Sequence, residues 1–374
     1  MKNKRKRLLF RIFAASFSMV LLILMAINVF VGNAAIFDYI EKNVSPIGAA
    51  NVTVGVDDED GVYTLTAKEA GHTFRILQIS DIHFTCGFPS YSLDRHAVTA
   101  IATLVHAEQP DLIVLSGDSI SPIATSGATL NTMRIAEAVA ALMESFEIPW
   151  TLVFGNHDGE GLATRAELAQ YFASTNLEYC LFRRGDENID GEGNDYIKLL
   201  NADGTLSEVV FFMDSHAGGF VGYDHVHENQ IAWYKDTVDA LNAKHLDFRS
   251  IMFIHIPPLE YETMYQRYQS GDSDIVMLYG EIGETISEGK DLGFYDALCE
   301  MDTTEYVFFG HDHKNSAALY DKNDGIVLSY TPTIDYSAYP FAKFVIERRG
   351  GNRISVAANG DITVDQVYLD ALAE

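Results

Sequence analysis

The chain has 374 residues, 48% of them hydrophobic and 21% charged. That length buries a large core in one big domain or two modest ones, and the apolar fraction excludes a disordered protein. The formal net charge is −27, and the first eleven residues hold six of the 26 basic side chains and no acid, so the remainder sets 20 basic against 53 acidic groups. A body this acidic repels polyphosphate backbones, and no nucleic-acid partner is expected.

Residues 2–11 (KNKRKRLLFR) are basic, and 12–37 contain no charged residue. This stretch exceeds both the roughly 20 residues that span a bilayer and the roughly 7–15 of a signal-peptide core. The basic flank stays on the cytoplasmic side and sends the rest of the chain outward. The expected location is the cell membrane, single-pass, with the body outside. Gly32-Asn33-Ala34 offers a small-x-small cleavage site before Ala35, so secretion after signal cleavage is the alternative. Cys86, Cys180 and Cys299 show no CxxC spacing and do not pair evenly. Neither a structural disulfide nor a thiolate metal site is expected.

Residues 38–70 lead into the body, and VTVGVDDEDGVYTLTA predicts a small hairpin around Asp60-Gly61. From residue 71 strands and helices alternate. FRILQIS (74–80) reads as a strand, 93–108 as a helix stopping before Pro110, and DLIVLS (111–116) as a second strand. A second helix over 130–146 ends before Pro149, WTLVF (150–154) is a third strand, and a helix follows over about 164–173. Candidate strands at 194–200 and 207–213 flank the turn Asn201-Ala202-Asp203-Gly204. A helix over 228–243, a strand at 250–254, a helix over 292–301 and a strand at 305–309 come next. After Asn315 the pattern turns β-rich, with IVLSYT, FAKFVIERR, ISVAA and ITVDQVYL predicted to build a second sheet packed beside the first. The expectation is a layered α/β body with helices outside, forming one catalytic domain over 71–374.

Five of the strands end in metal-ligand residue types: Asp81 and His83; Gly117-Asp118; Gly155-Asn156-His157-Asp158; His255; and Gly310-His311-Asp312-His313. Three place Gly just before the ligand, where a tight turn is needed. Ligands gather beyond the carboxyl ends of strands in α/β sheets, so five such ends side by side would converge on one crevice. Asp81 and His83 are two apart, as are His311 and His313, a spacing that points both side chains the same way in an extended segment. Oxygen and imidazole donors without sulfur suit Mn, Fe, Zn or Mg.

The series D-x-H, GD, GNHD, H, GHDH resembles the calcineurin-like metallophosphoesterase superfamily. The fuller phrases FRILQISDIHF, QPDLIVLSGD, IPWTLVFGNHD, FIHIPP and GHDHKNS resemble its branch that includes plant purple acid phosphatase 29-like proteins and the yeast Dcr-type phosphatase, over about residues 73–335. The resemblance implies a β-sandwich of two mixed sheets flanked by helices. It implies that Asp81, His83, Asp118 and His313 hold a first divalent metal, with Asp118 bridging to a second held by Asn156, His255 and His311. Asn156 and His157 would touch the phosphate, His157 would protonate the leaving group, and Asp158 would orient its imidazole. His83 stands where true purple acid phosphatases carry a different motif, so a ferric–tyrosinate site is not implied.

Two divalent ions against two ligand carboxylates leave the pocket about +2, enough to bind phosphate inside an acidic exterior. Ions roughly 3.5–4 Å apart generate a bridging hydroxide that attacks the ester. The expected activity is hydrolysis of small phosphate monoesters. A phosphodiesterase of nucleotides or lipid head groups, and a non-catalytic surface module that keeps the metals, are the alternatives.

Other motifs have plainer readings. Asp214-Ser215-His216 follows a strand, and a polar loop explains it better than a substrate-lining role, for His216 among them. His225-Val226-His227 has ligand spacing, but reads better as a loop capping the following helix. Tyr261, Tyr265 and Tyr268 suit one helical face, through core or rim packing at least as well as through substrate stacking. Arg183 and Arg184 would grip an anionic substrate or simply solvate a surface.

Overall fold

The computed structural model describes residues 2–122, 127–218, 222–244, 248–287, 289–290, 292–338 and 342–372. After helices α1 (Lys2–Phe30) and α2 (Ala35–Asn43), the hairpin β1 (Val52–Val56) and β2 (Tyr63–Ala67) leads to β3 (Phe74–Ile79), α3 (Tyr91–Glu108), β4 (Leu112–Ser116), α4 (Thr132–Glu144), β5 (Trp150–Val153) and α5 (Arg165–Phe172). Next come β6 (Asp195–Leu200), β7 (Leu206–Phe212), α6 (Glu228–Asn242), β8 (Ser250–Phe253), α7 (Leu259–Gln269), β9 (Ile275–Tyr279) and α8 (Phe294–Met301). The chain ends with β10 (Thr304–Phe309), β11 (Ala318–Asp321), β12 (Val327–Tyr330), α9 (Ala342–Val345), β13 (Gly350–Val356), β14 (Ile362–Tyr368) and α10 (Leu369–Leu372).

Two mixed sheets pack face to face, one in the order β14-β13-β3-β4-β5 and the other β1-β2-β6-β7-β8-β10-β12-β11-β9. Strands β3, β4 and β5 run parallel, as do β7, β8, β10 and β12. LIVLS of β4, flanked by parallel neighbours and apolar on both faces, is buried along its whole length. WTLV at the sheet edge is buried because residues 179–181 bond to Trp150 and Phe172 of α5 packs on its ring. Phe74, Ile76, Leu112 and Val114 from one sheet meet Phe212, Ile251, Phe253 and Phe308 from the other in the inner core. The outer face of the smaller sheet is covered by α2 to α5, and that of the larger sheet by α6 to α8. The start of α5 carries a capping box, Thr164 with Glu167, which fixes where that helix begins.

The division of strands corrects one expectation. The C-terminal strands do not form a sheet of their own: β12 lies between β10 and β11, whereas β13 pairs antiparallel with β3 and extends the first sheet. Side-chain periodicity fixes which face is apolar but not which strand is the neighbour. FAKFVIERR is not a strand. Its described part begins with the short helix α9, where Arg349 donates to the carbonyls of Ala342 (2.8 Å), Ile346 (3.0 Å) and Asp335 (2.7 Å) and gathers the chain into a turn. Strands β9 and β11 were not foreseen in the sequence. The hairpin is an edge of the larger sheet, with β2 parallel to β6, and buried Lys198 ties its turn by ion pairs to Asp57 (3.0 Å) and Asp60.

Helix α1 contains a 27-residue stretch, Lys4–Phe30, long and apolar enough to cross a membrane. The three cysteines are free, and Cys86 and Cys180 are buried.

Candidate active site

The loops after β3, β4, β5, β8 and β10 meet where the carboxyl ends of the two sheets face each other. Asp81, His83 and His313 form one buried group, and Asp118, His255 and His311 a second, each with its ligand atoms within 4.8 Å of one another. In the first, His83 Nε2 lies 3.2 Å from His313 Nε2, and His313 Nε2 lies 3.4 Å from Asp81 Oδ1. In the second, His255 Nε2 lies 3.2 Å from both Asp118 Oδ2 and Asn156 Oδ1. Asp118 Oδ2 is also 3.7 Å from His83 Nε2, so this carboxylate stands between the groups.

The backbone that delivers these side chains is unusual. Asp81, His83, Asp118 and His311 all have left-handed backbones, with φ of 54°, 51°, 49° and 81°. For residues other than glycine such a conformation costs about 1–3 kcal/mol and clusters at functional sites. Asp81 and His83 therefore do not reach the site by the extended alternation their spacing suggested. The preceding glycines serve two purposes. Gly117 is itself left-handed (φ +97°), and a Cβ there would collide with the His255 ring. Gly155 and Gly310 are needed for space, because a Cβ would run into Asp118 and into Ser80 and Asp81 respectively.

Surrounding contacts aim the rings. His255 Nδ1 faces the Ser116 carbonyl at 2.9 Å, and His313 Nδ1 faces Asp335 at 3.0 Å. Each contact holds the proton on Nδ1 and turns the Nε2 lone pair inward, the usual second contact of a metal-bound imidazole. Asp81 accepts the His311 backbone amide (3.1 Å), joining the two sheets across the site. Buried Gln78 and Asn352 add further cross-sheet bonds, to the carbonyls of Phe309 and Tyr330.

Without a metal, two of the ligand imidazoles are neutral and two are held charged by the neighbouring carboxylates, so a cation would displace a proton from each of the latter. Burial pushes His83 down to about 4 and His311 down to about 3, so both are neutral. Burial opposes ionisation of Asp81 and Asp118, but His313 and His255 outweigh it and both carboxyls sit below their ordinary range. His255 is raised to about 9: burial works against the charged form and the Asp118 carboxylate overcomes it. His83 Nδ1 and His311 Nε2 are buried without a hydrogen-bond partner. Buried atoms of this kind cost about 1–3 kcal/mol each unless something answers them. Anionic oxygens, the neutral imidazoles of His83 and His311 and the orphaned Nε2 of His311 together fit divalent cations.

His157 is the most exposed of these histidines, its ring centred 5.4 Å from that of His83. Asp158 does not orient it. The Asp158 carboxylate instead accepts the backbone amides of Gly155 (2.6 Å), Asp118 (3.1 Å) and Ile120 (2.8 Å), and so sets the loop on which His157 rides. The imidazole partner is Glu160, whose Oε2 is 2.8 Å from His157 Nδ1. One turn of loop brings i+3 rather than i+1 beside the ring, a detail that spacing alone does not reveal.

Other expected or overlooked residues fall into place around this centre. Arg183 is held by Asp195 and lines a separate cleft with Asp60 and Trp233. Arg184 pairs with Glu192 at the surface. His216 bonds Gln230 (2.8 Å) and stacks on His227 at 3.9 Å, and with Asp224 these form a third, half-buried group. Both ring nitrogens of His227 already face carboxylates, those of Asp190 (2.8 Å) and Asp224 (3.3 Å). Arg165 was overlooked: it pairs with buried Asp214 (2.7 Å) and donates to the carbonyls of Gly155 and His216, clamping the loops after β5 and β7. Tyr261 is core, whereas Tyr268 is exposed.

A helix-flanked two-sheet sandwich with these five loops at one end defines the class, and the chain belongs to the Calcineurin-like phosphoesterase family, whose profile it matches over residues 74–315. Among its relatives, the Arabidopsis thaliana protein named "Probable inactive purple acid phosphatase 28" is 27% identical over 303 residues, spanning 71% of this chain and 72% of that protein. The Saccharomyces cerevisiae protein named "Phosphatase DCR2" is 29% identical over 285 residues, spanning 70% of this chain and 48% of its own length. The Arabidopsis protein named "Probable inactive purple acid phosphatase 29" is 28% identical and spans 71% of this chain and 73% of its own.

Proposed function

We propose that this protein is a phosphomonoesterase that uses two divalent metal ions, of the Mn, Fe, Zn or Mg type, and works outside the cytoplasmic membrane to which α1 anchors it. The observation that carries the reading is the position of Asp118, one carboxylate between two buried groups of matching ligand chemistry. Asp81, His83 and His313 would hold one ion and Asn156, His255 and His311 the other, with Asp118 shared. A pair of such ions, when bound, polarises the phosphate and makes water acidic enough to react at neutral pH.

The chain's own groups then complete the reaction. Asn156 and His157 bind the phosphate at the open side of the site. Glu160 takes the Nδ1 proton contact of His157, leaving the other ring nitrogen to protonate the departing alkoxide. Asp158 and Arg165 keep the loop that carries both residues in register. Every ligand type that the family motif demands is present, which favours an active enzyme over a metal-retaining surface module, although three relatives bear the word inactive in their names.

The test compares a chromogenic phosphate monoester with its bis-ester, in the presence of Mn²⁺, for the wild type, His157→Ala and Asp118→Asn. Monoester turnover is expected, falling about 10²–10⁴-fold in His157→Ala, the usual contribution of a general acid. Equal background rates in all three proteins would favour the non-catalytic module, and turnover of the bis-ester alone would make the enzyme a diesterase.

A further inference from the structure

The last turn of α1 is bonded into the loops that leave two of the ligand-bearing strands. Phe88, in the loop after β3, donates its amide to Asn28 Oδ1 at 2.7 Å, and the Asn33 amide reaches the Cys86 carbonyl at 2.7 Å. In the loop after β4, Asn28 donates to the carbonyls of Gly127 (3.2 Å) and Ala128 (3.3 Å), and Leu130 donates to Val29 at 2.8 Å. The apolar span of α1 is otherwise unburied, so the helix stands away from the body and touches it at its end. Those loops start at His83 and Asp118. A helix crossing a bilayer therefore brings the metal-ligand end of the sandwich to the lipid surface.

The same end carries exposed apolar side chains in four places. Phe88 follows β3, Leu162 follows β5, Leu259 follows β8, and Phe344 and Val345 lie on α9. A cavity of about 340 Å³ beside His313 combines Val345 and Ile346 with Lys314 and Arg348, although Glu281 and Glu347 also line it. Apolar and basic groups side by side match a phosphorylated amphiphile better than a free polar ester.

Resting on the phosphomonoesterase reading, we propose that the metal-ligand end faces the bilayer and that the substrate is a lipid phosphate monoester at its surface. Water adds to phosphorus as the P–O bond to the lipid breaks. The lipid leaves as its alcohol with the proton from His157, and inorganic phosphate is released.

The test uses the full chain in phosphatidylcholine vesicles. A fluorophore at Phe88→Cys should be quenched by nitroxide-labelled lipid, and one at Asp203→Cys, in the turn at the opposite end, should not. Equal quenching at both sites, or none at Phe88→Cys, overturns the orientation whatever the activity. Phosphatidic acid in the vesicles should exceed soluble glycerol 3-phosphate in kcat/KM by at least about 10-fold, through its confinement to the surface. The double variant Phe88→Asp/Leu162→Asp should lose about 10-fold or more on phosphatidic acid, because its carboxylates resist the interface, with the chromogenic monoester rate unchanged. Preference for glycerol 3-phosphate, or an equal loss on both substrates, contradicts the lipid substrate. Loss of chromogenic turnover in the wild type means instead that the phosphoesterase reading has failed.

Discussion

Asp118, at the end of β4, places its Oδ2 3.2 Å from Nε2 of His255, which leaves β8 in the opposite sheet. The candidate centre is thus a seam between two sheets and depends on how closely they approach. Gly117 permits that approach. Gly117→Ala should reduce bound metal to less than half and turnover by about 100-fold, since a misplaced first contact is costly. Gly204→Ala is the control: its φ of +82° is equally strained, but a Cβ there meets nothing within 4 Å. It should cost only about 1 kcal/mol in thermal unfolding and leave metal content alone.

Glu160 and Asp158 have separable tasks. Glu160→Ala frees the His157 ring without disturbing the loop, so kcat should fall by about 10-fold while bound metal is unchanged. Asp158→Ala removes the acceptor of three backbone amides around Asp118, and should lower both metal content and kcat. Elemental analysis alongside initial rates distinguishes the two. Similar metal loss in both variants would contradict the division.

Asp335 was not legible as a site residue, yet it fixes the His313 ring. Asp335→Asn should weaken metal binding about 10–100-fold, the usual effect of losing such a support. A metal titration followed by calorimetry would read this directly.

The hairpin tie gives a pH dependence. Burial would raise the Asp57 carboxyl, but the Asp60 backbone amide and the Lys198 ammonium outweigh it and bring it from 3.8 to about 2. A folded pKa below the unfolded one means that the contribution is present above about pH 3.8 and is lost as pH falls through about 2. Acid unfolding should therefore be less steep in that window for Asp57→Asn. Lys198→Met should destabilise the protein at neutral pH by about 1–3 kcal/mol, since it leaves the Asp57 carboxylate without its cation while Asp60 keeps Lys244.

The five ligand-bearing strand ends were legible because a strand that is apolar on both faces, followed by glycine and a ligand residue, leaves few other readings. The pairing of β12, β13 and β14 was not, since strand neighbours are chosen by contacts distant in sequence. Short strands such as β9 and β11 carry too few residues for a period to show. The partner of His157 was misread as its neighbour Asp158, because a turn rather than a strand carries the ring. Arg165 and Asp335 act only through other residues, and nothing in their local sequence sets them apart from ordinary surface charges.

The most direct measurement is the number of Mn²⁺ ions bound per chain by the metal-stripped full-length protein at equilibrium, read together with monoester turnover. Two ions are expected, with turnover appearing as the second site fills, and at most one ion without turnover in Asp118→Asn. Fewer than one ion per wild-type chain, or turnover that persists without metal, would contradict the two-metal reading.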